Sequence, residues 1–204
     1  MEKTFVVTGA SRGIGYALVQ HVANQGHTVY ALSRSIKTIK KTPKLFPIAI
    51  DIADEKALEE FANQLKGKRV VVDALVNNAG ALLNQPFSET TKEDFEAVYR
   101  VNVFGLASLI RLLLPLIDPK GHVVNISSMG GIGGSSKFPG LAAYSSSKGA
   151  VNILTELLAE EYKESGPSFN SLALGAVQTE MLAQAFPGFQ APLSAKEMAQ
   201  YIFK

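Results

Sequence analysis

The chain has 204 residues, no cysteine, 47% apolar and 19% charged residues, and a net charge of +2. That length suits one domain with a core of its own. The balanced charge gives no electrostatic reason to bind nucleic acid or a membrane surface, and without thiols there can be no disulfide, thiolate zinc site, iron–sulfur cluster or cysteine nucleophile.

The opening MEKTFVVTGA has too short an apolar run for a secretory leader, so the cytoplasm is the expected address. Lys3–Thr8 is β-rich and ends at Gly9, a first strand. Gly13–Asn24 then predicts a helix with Ile14, Ala17, Leu18, His21 and Val22 on one face, closed by Gly26. Thr28–Ser33 is a second strand, Arg34–Lys44 a basic loop and Leu45–Ile52 a third strand. Asp54–Leu65 reads as an amphipathic helix with Ala57, Leu58, Phe61 and Leu65 inward. Val70–Val76 is rich in β-branched residues, the pattern of a strand buried on both faces of a parallel sheet.

Lys92–Ile117 predicts a long helix that Pro115 should kink or end. Its apolar part is interrupted by Asn102 and Arg111 and falls short of the roughly 20 residues that a membrane span needs. His122–Ile126 is a fifth strand, Tyr144–Glu164 a second long helix and Phe169–Leu174 a sixth strand. Ser194-Ala195-Lys196-Glu197 has the form of a capping box, so a helix begins there and the chain stops within it. Alternating strands and helices over residues 1–204 predict an α/β fold, a single-domain doubly wound parallel sheet. In such sheets ligands bind beyond the carboxyl ends of the strands.

The motifs lie at those ends. Thr8–Gly15 reads TGASRGIG, between the first strand and the first helix, where glycines let backbone approach a pyrophosphate and the helix N-terminus offers free N–H groups. The same segment fits the G-x-S-x-G elbow of hydrolases, but no acid and histidine follow in the order that chemistry needs. His21, His27 and His122 match no metal spacing, and no metal is expected. The fourth strand ends in Asn77-Asn78-Ala79-Gly80 and the fifth in Asn125-Ile126-Ser127-Ser128. Tyr144 and Lys148 are four apart on a helix, hence on one face and able to act on one ligand.

Taken together, TGASRGIG, NNAG, Asn102 in VNVFG, NISS and YSSSK resemble the short-chain dehydrogenase/reductase family over essentially the whole chain. The resemblance implies hydride transfer between a nicotinamide and a carbonyl or alcohol substrate. Tyr144 would be the proton donor or acceptor, with its phenol, of ordinary pKa near 10, brought down by Lys148 and the oxidised nicotinamide. Lys148 would also hold the nicotinamide ribose. Ser128 would bind the substrate oxygen, with Ser127 a neighbour, and Asn102 would hold a water in a proton relay, or else serve the core.

The resemblance places Gly9, Ser11, Arg12, Gly13, Ile14 and Gly15 at the phosphates, with Asn78, Ala79 and Gly80, Tyr144 and Lys148 also against the cofactor. Asp51 and Ile52 would meet the adenine, and Val177 and Thr179 the carboxamide. The second strand ends Leu32-Ser33-Arg34 with no acid at its tip; Ser33, Arg34 and Arg12 suit a 2′-phosphate, so NADP is expected over NAD. The chain departs from the family in Leu174-Gly175, where Pro-Gly is usual, and in a longer loop between Ser128 and Tyr144. Ile132, Phe138, Leu141, Leu82 and Leu83 are expected to form an apolar substrate wall. The family's last strand has no counterpart, which would leave the sixth strand at an edge. A homodimer or homotetramer through the two long helices is the expected assembly. A catalytically inactive nucleotide-binding scaffold on the same fold is the alternative.

Overall fold

The computed structural model describes all 204 residues. Val6, Val7, Val29, Ala31 and Leu75 have no exposed surface, as central strands covered on both faces require. The strands are β1 (Thr4–Thr8), β2 (Thr28–Ser33), β3 (Leu45–Ala49), β4 (Val72–Asn77), β5 (Ile117–Ser128) and β6 (Ser168–Leu174). All pair in parallel, in the order β3-β2-β1-β4-β5-β6. The winding direction reverses between β1 and β4, which opens a crevice at their carboxyl ends. β6 is an edge strand, and a small ribbon of β7 (Val177–Gln178) and β8 (Leu193–Ser194) follows it.

Helices cover both faces. On one side α2 (Glu55–Gly67), α4 (Leu106–Leu113) and α5 (Ala142–Glu161) contribute Leu58, Leu109 and Val151 to a core with Val72 and Val123. On the other, α1 (Gly13–Asn24) and α7 (Ala195–Phe203) bring Leu18, Val22 and Ala199 against Val7 and Val29. The buried face of α1 is Gly15, Leu18, Val19 and Val22; Ile14 and His21, expected inward, are only half-buried. His21 instead meets Phe203 of α7 edge-on at 5.0 Å.

Several boundaries differ from the sequence reading for local reasons. β3 stops at Ala49, and Asp51 accepts from the Ala53 N–H at 3.0 Å to turn the chain towards α2. β4 begins at Val72, because Val70 is still bonded to the end of α2 through Leu65 and Val71 faces solvent. Arg69 at that junction has φ 54, a left-handed conformation usually left to glycine. The predicted long helix runs without a break from Lys92 to Leu116, with Pro115 in its last tight turn. It comprises α3 (Lys92–Tyr99), a wide π-turn over Arg100–Gly105, α4 and that closing turn. β5 then starts at Ile117, earlier than His122. The short α6 (Glu180–Ala185), which the sequence reading did not separate, stands after β7.

Candidate active site

At the end of β1 the chain must turn sharply into α1, and Gly9 and Gly13 do so with φ of 67° and 56°. A Cβ on Gly15 would fall on the Gly9 carbonyl and lie 2.5 Å from Asn78 Nδ2, so only glycine fits. The buried Thr8 hydroxyl accepts from the N–H groups of Asn78 and Ala79 at 3.0 and 2.9 Å. Asn78 Nδ2 returns bonds to the Thr8 and Gly9 carbonyls at 3.0 and 3.3 Å. These bonds join the glycine turn to the NNAG turn across the reversal point of the sheet. No side chain caps α1, so Gly13, Ile14 and Gly15 present free N–H groups to an anion.

Beyond β4, Gly80 lies against two of the expected residues: a Cβ there would sit 3.5 Å from Asn102 Oδ1 and 3.7 Å from Lys148 Nζ. Asn102 occupies the π-turn, which brings Gly105 so close to Ile52 that a side chain would strike its carbonyl. Asn102 Oδ1 accepts from the Ala81 N–H at 2.7 Å, while Nδ2 donates to the Ala81 carbonyl and Ser147 Oγ, both at 2.9 Å. Both amide protons are thus spent, and the side chain acts as a brace between the loop after β4 and α5.

Ser128 ends β5 and Tyr144 and Lys148 stand one turn apart on α5. Ser127, one residue earlier, is buried and gives its hydroxyl proton to the Lys148 carbonyl at 3.1 Å. That leaves Ser128 as the serine on the Tyr144 side. Burial pushes the Tyr144 phenol above its usual range, and a hydrogen bond with Ser128 pulls the other way. Lys148 is buried without a carboxylate: Nζ donates to the Ile126 carbonyl at 2.7 Å and lies 5.8 Å from the Tyr144 ring centre. Desolvation brings its pKa down to about 8. The expectation that Lys148 lowers the phenol is therefore not met by the protein alone. The dry surroundings that would strengthen the attraction also disfavour both charged forms.

At the tip of β2, Ser33 is half-buried and Arg34 exposed; Arg12 is exposed across the glycine turn. Neither arginine is among the residues in ion pairs. The loop between them is tied down where Thr38 Oγ1 donates to the Ser11 carbonyl at 2.7 Å. Asp51 faces solvent and Ile52 is buried behind it. Val177 is buried in β7, and Thr179 caps α6 by accepting from the Leu182 N–H at 3.2 Å. The Thr179 methyl reaches to 3.3 Å from where a Gly13 Cβ would stand, so the start of α6 closes on the glycine turn.

The residues expected to form an apolar wall differ in exposure. Ile132 and Phe138 are exposed, and Leu82 and Leu83 are half-buried in the loop after β4. Leu141 is not part of an open wall, because it is buried at the start of α5. Thr8, Ser147 and Asn84 were missed by the sequence reading; only Thr8, a hydroxyl at the strand end just before the glycine turn, carried a signal there.

The family described as short chain dehydrogenase matches residues 3–188. The NADPH-dependent pterin aldehyde reductase of Arabidopsis thaliana is 33% identical over 93% of this chain and 83% of its own. Carbonyl reductase [NADPH] 2 of Sus scrofa is 36% identical over 86% of this chain and 72% of its own. Among solved structures, 4-hydroxyisoleucine dehydrogenase complexed with NADH superposes with a TM-score of 0.89 at 25% identity, over 99% of this chain and 90% of that one.

Proposed function

Because the chain belongs to the short-chain dehydrogenase family, a family of nicotinamide-dependent oxidoreductases, we propose that it is an NADPH-dependent reductase of a small carbonyl compound, acting through Tyr144. The observation that carries this reading is the convergence of Ser128, Tyr144 and Lys148 at the carboxyl end of the sheet, beside Gly80 and Asn102. The cradle formed by Gly9, Gly13 and Gly15 and the uncapped α1 fits a dinucleotide pyrophosphate. A nicotinamide dinucleotide, if held by these residues, would supply or accept the hydride.

The chain's own residues handle the proton and the oxygen. Ser128 and Tyr144 hydrogen-bond the substrate carbonyl oxygen, which orients it and stabilises the charge that grows there. Tyr144, a phenol protonated at neutral pH whose charged form burial disfavours further, donates the proton. Lys148 would hold the nicotinamide ribose and would steady the phenolate once that proton has left. Asn102 keeps the Ala79–Ala81 segment in place through Ala81.

Arg12 and Arg34, both outside any ion pair, support NADP over NAD, as do the NADPH-dependent names of two relatives. Phe104 in the π-turn and Ile153 and Leu157 on α5 are exposed apolar side chains, and they support pairing with a second copy through these helices. The cytoplasm is the proposed location. The test is oxidation of NADPH with aldehydes, ketones, diketones and quinones by the wild type and by Tyr144→Phe. Turnover should nearly vanish in the variant while NADPH binding persists; wild-type turnover in Tyr144→Phe would refute the mechanism.

A further inference from the structure

Asn84 stands where three segments at the carboxyl end of the sheet meet. Its Nδ2 donates at 2.7 Å to the carbonyl of Ala185, the last residue of α6. Its Oδ1 packs onto Gly140, where any Cβ would fall on that oxygen. Its neighbour Gln85 donates from the backbone to the Gly140 carbonyl at 2.9 Å. One amide therefore clasps the loop after β4, the loop after β5 and the helix beyond β6. Ser128 and Tyr144 flank the second of these segments.

The clasp sets the relation of two rings. Phe186 follows Ala185 directly, and Phe138 lies two residues before Gly140. Their centroids are 6.5 Å apart with planes at 65°, an edge-to-face pair. Phe138 is nevertheless well exposed, as are Met129 and Ile132 in the same loop. An edge-to-face pair with a free ring face is suited to take a further flat ring. The loop's one charge, Lys137, is turned back on its own segment, with Nζ donating to the Ile132 carbonyl at 2.6 Å and to Ser135 Oγ at 2.8 Å. An entering group thus meets the exposed carbon of Phe138, Met129 and Ile132, with the Lys137 ammonium tethered by neutral acceptors.

We propose that Asn84 is a positioning residue that sets the substrate mouth by holding Phe186 edge-on to Phe138, and that this mouth selects a flat, uncharged, aromatic carbonyl compound. The inference rests on the reductase reading above. A single exposed hydrogen bond is too weak to decide folding, but its loss frees α6 to shift the ring. The cost should therefore fall on substrate capture.

The experiment measures kcat and KM with NADPH for benzaldehyde, 4-carboxybenzaldehyde and 2,3-butanedione. The wild type should favour benzaldehyde over its carboxylated analogue by roughly tenfold or more in kcat/KM. In Asn84→Ala, and separately in Phe186→Ala, the benzaldehyde-to-butanedione ratio of kcat/KM should fall roughly tenfold, through KM rather than kcat. An unchanged ratio in both variants, a loss through kcat alone, or a preference for the carboxylated aldehyde would overturn the inference while leaving the reductase reading intact. No NADPH oxidation with any carbonyl compound would overturn both.

Discussion

Lys148 Nζ lies 5.8 Å from the centre of the Tyr144 ring, one turn away on the same helix, and burial disfavours the charged form of each side chain. The phenol is pushed up and the ammonium down to about 8. The pair is thus poised in its neutral-phenol state, which is the proton-donating one.

The two directions of reaction should respond differently to pH. Carbonyl reduction needs the protonated phenol and should vary little across the neutral range. Alcohol oxidation needs the phenolate, so its kcat/KM should climb with pH, approaching about tenfold per unit before levelling. Initial rates in both directions across that range check this. An oxidation rate that falls with rising pH would contradict the role given to Tyr144.

Lys148 should also mark the stability of the fold. Its folded pKa lies below the unfolded value of 10.5, so the unfolded chain binds more protons between about pH 8 and 10.5. Stability from this group therefore rises with pH through that window, and the penalty is full below it, on the order of 3 kcal/mol. Relative to Lys148→Met, the wild type should gain stability as pH rises from neutrality to 10. Urea denaturation of both at the two ends of the window gives the difference; a constant gap would show that Lys148 is not desolvated in the folded state.

Cofactor preference should turn on the tip of β2. Arg34→Asp places a carboxylate where a 2′-phosphate would lie and restores an acceptor for a free 2′-hydroxyl. The ratio of kcat/KM for NADPH over NADH should fall by about 100-fold, the size expected for losing a charge-assisted contact and adding repulsion. Kinetics with both cofactors on one substrate would show it.

Arg69 is a stability test remote from the site. With φ 54 it carries the strain of a left-handed non-glycine residue at the exit of α2. Arg69→Gly should raise the unfolding free energy by up to about 1 kcal/mol, since relief of that strain outweighs glycine's larger unfolded entropy. The urea midpoint measures it, and turnover should not change.

Most of the frame was legible because it rests on local signals. The bounds of α1 and β2 follow from apolar runs closed by turn residues, and the capping box at Ser194 is formed as read, with Glu197 returning a bond to the Ser194 N–H at 2.9 Å. What stayed hidden depends on partners distant in sequence. The π-turn around Asn102 exists where Gly105 meets Ile52, and nothing in VNVFG announces that. Asn77 and Asn125 were legible only as strand-end residues; they form a buried chain in which Asn77 Nδ2 donates to Asn125 Oδ1 at 2.8 Å and Asn125 Nδ2 to Thr155 Oγ1 at 2.9 Å. Asn84 was one polar residue in a loop until α6 came back to meet it 101 positions later. The burial of Tyr144 was hidden for a related reason: charge neighbours can be read from spacing, but desolvation depends on the packed whole.

The Thr8 hydroxyl, shared between the Asn78 and Ala79 N–H groups, has a bearing on how such an enzyme can be altered. The glycine turn and the NNAG turn are joined through that oxygen and through Asn78 Nδ2, so neither can drift without carrying the other. Ser33 and Arg34 on one side, and Phe138 and Phe186 on the other, lie outside the joined turns. Descendants of this sequence can therefore vary at those peripheral positions while inheriting the joined turns unchanged.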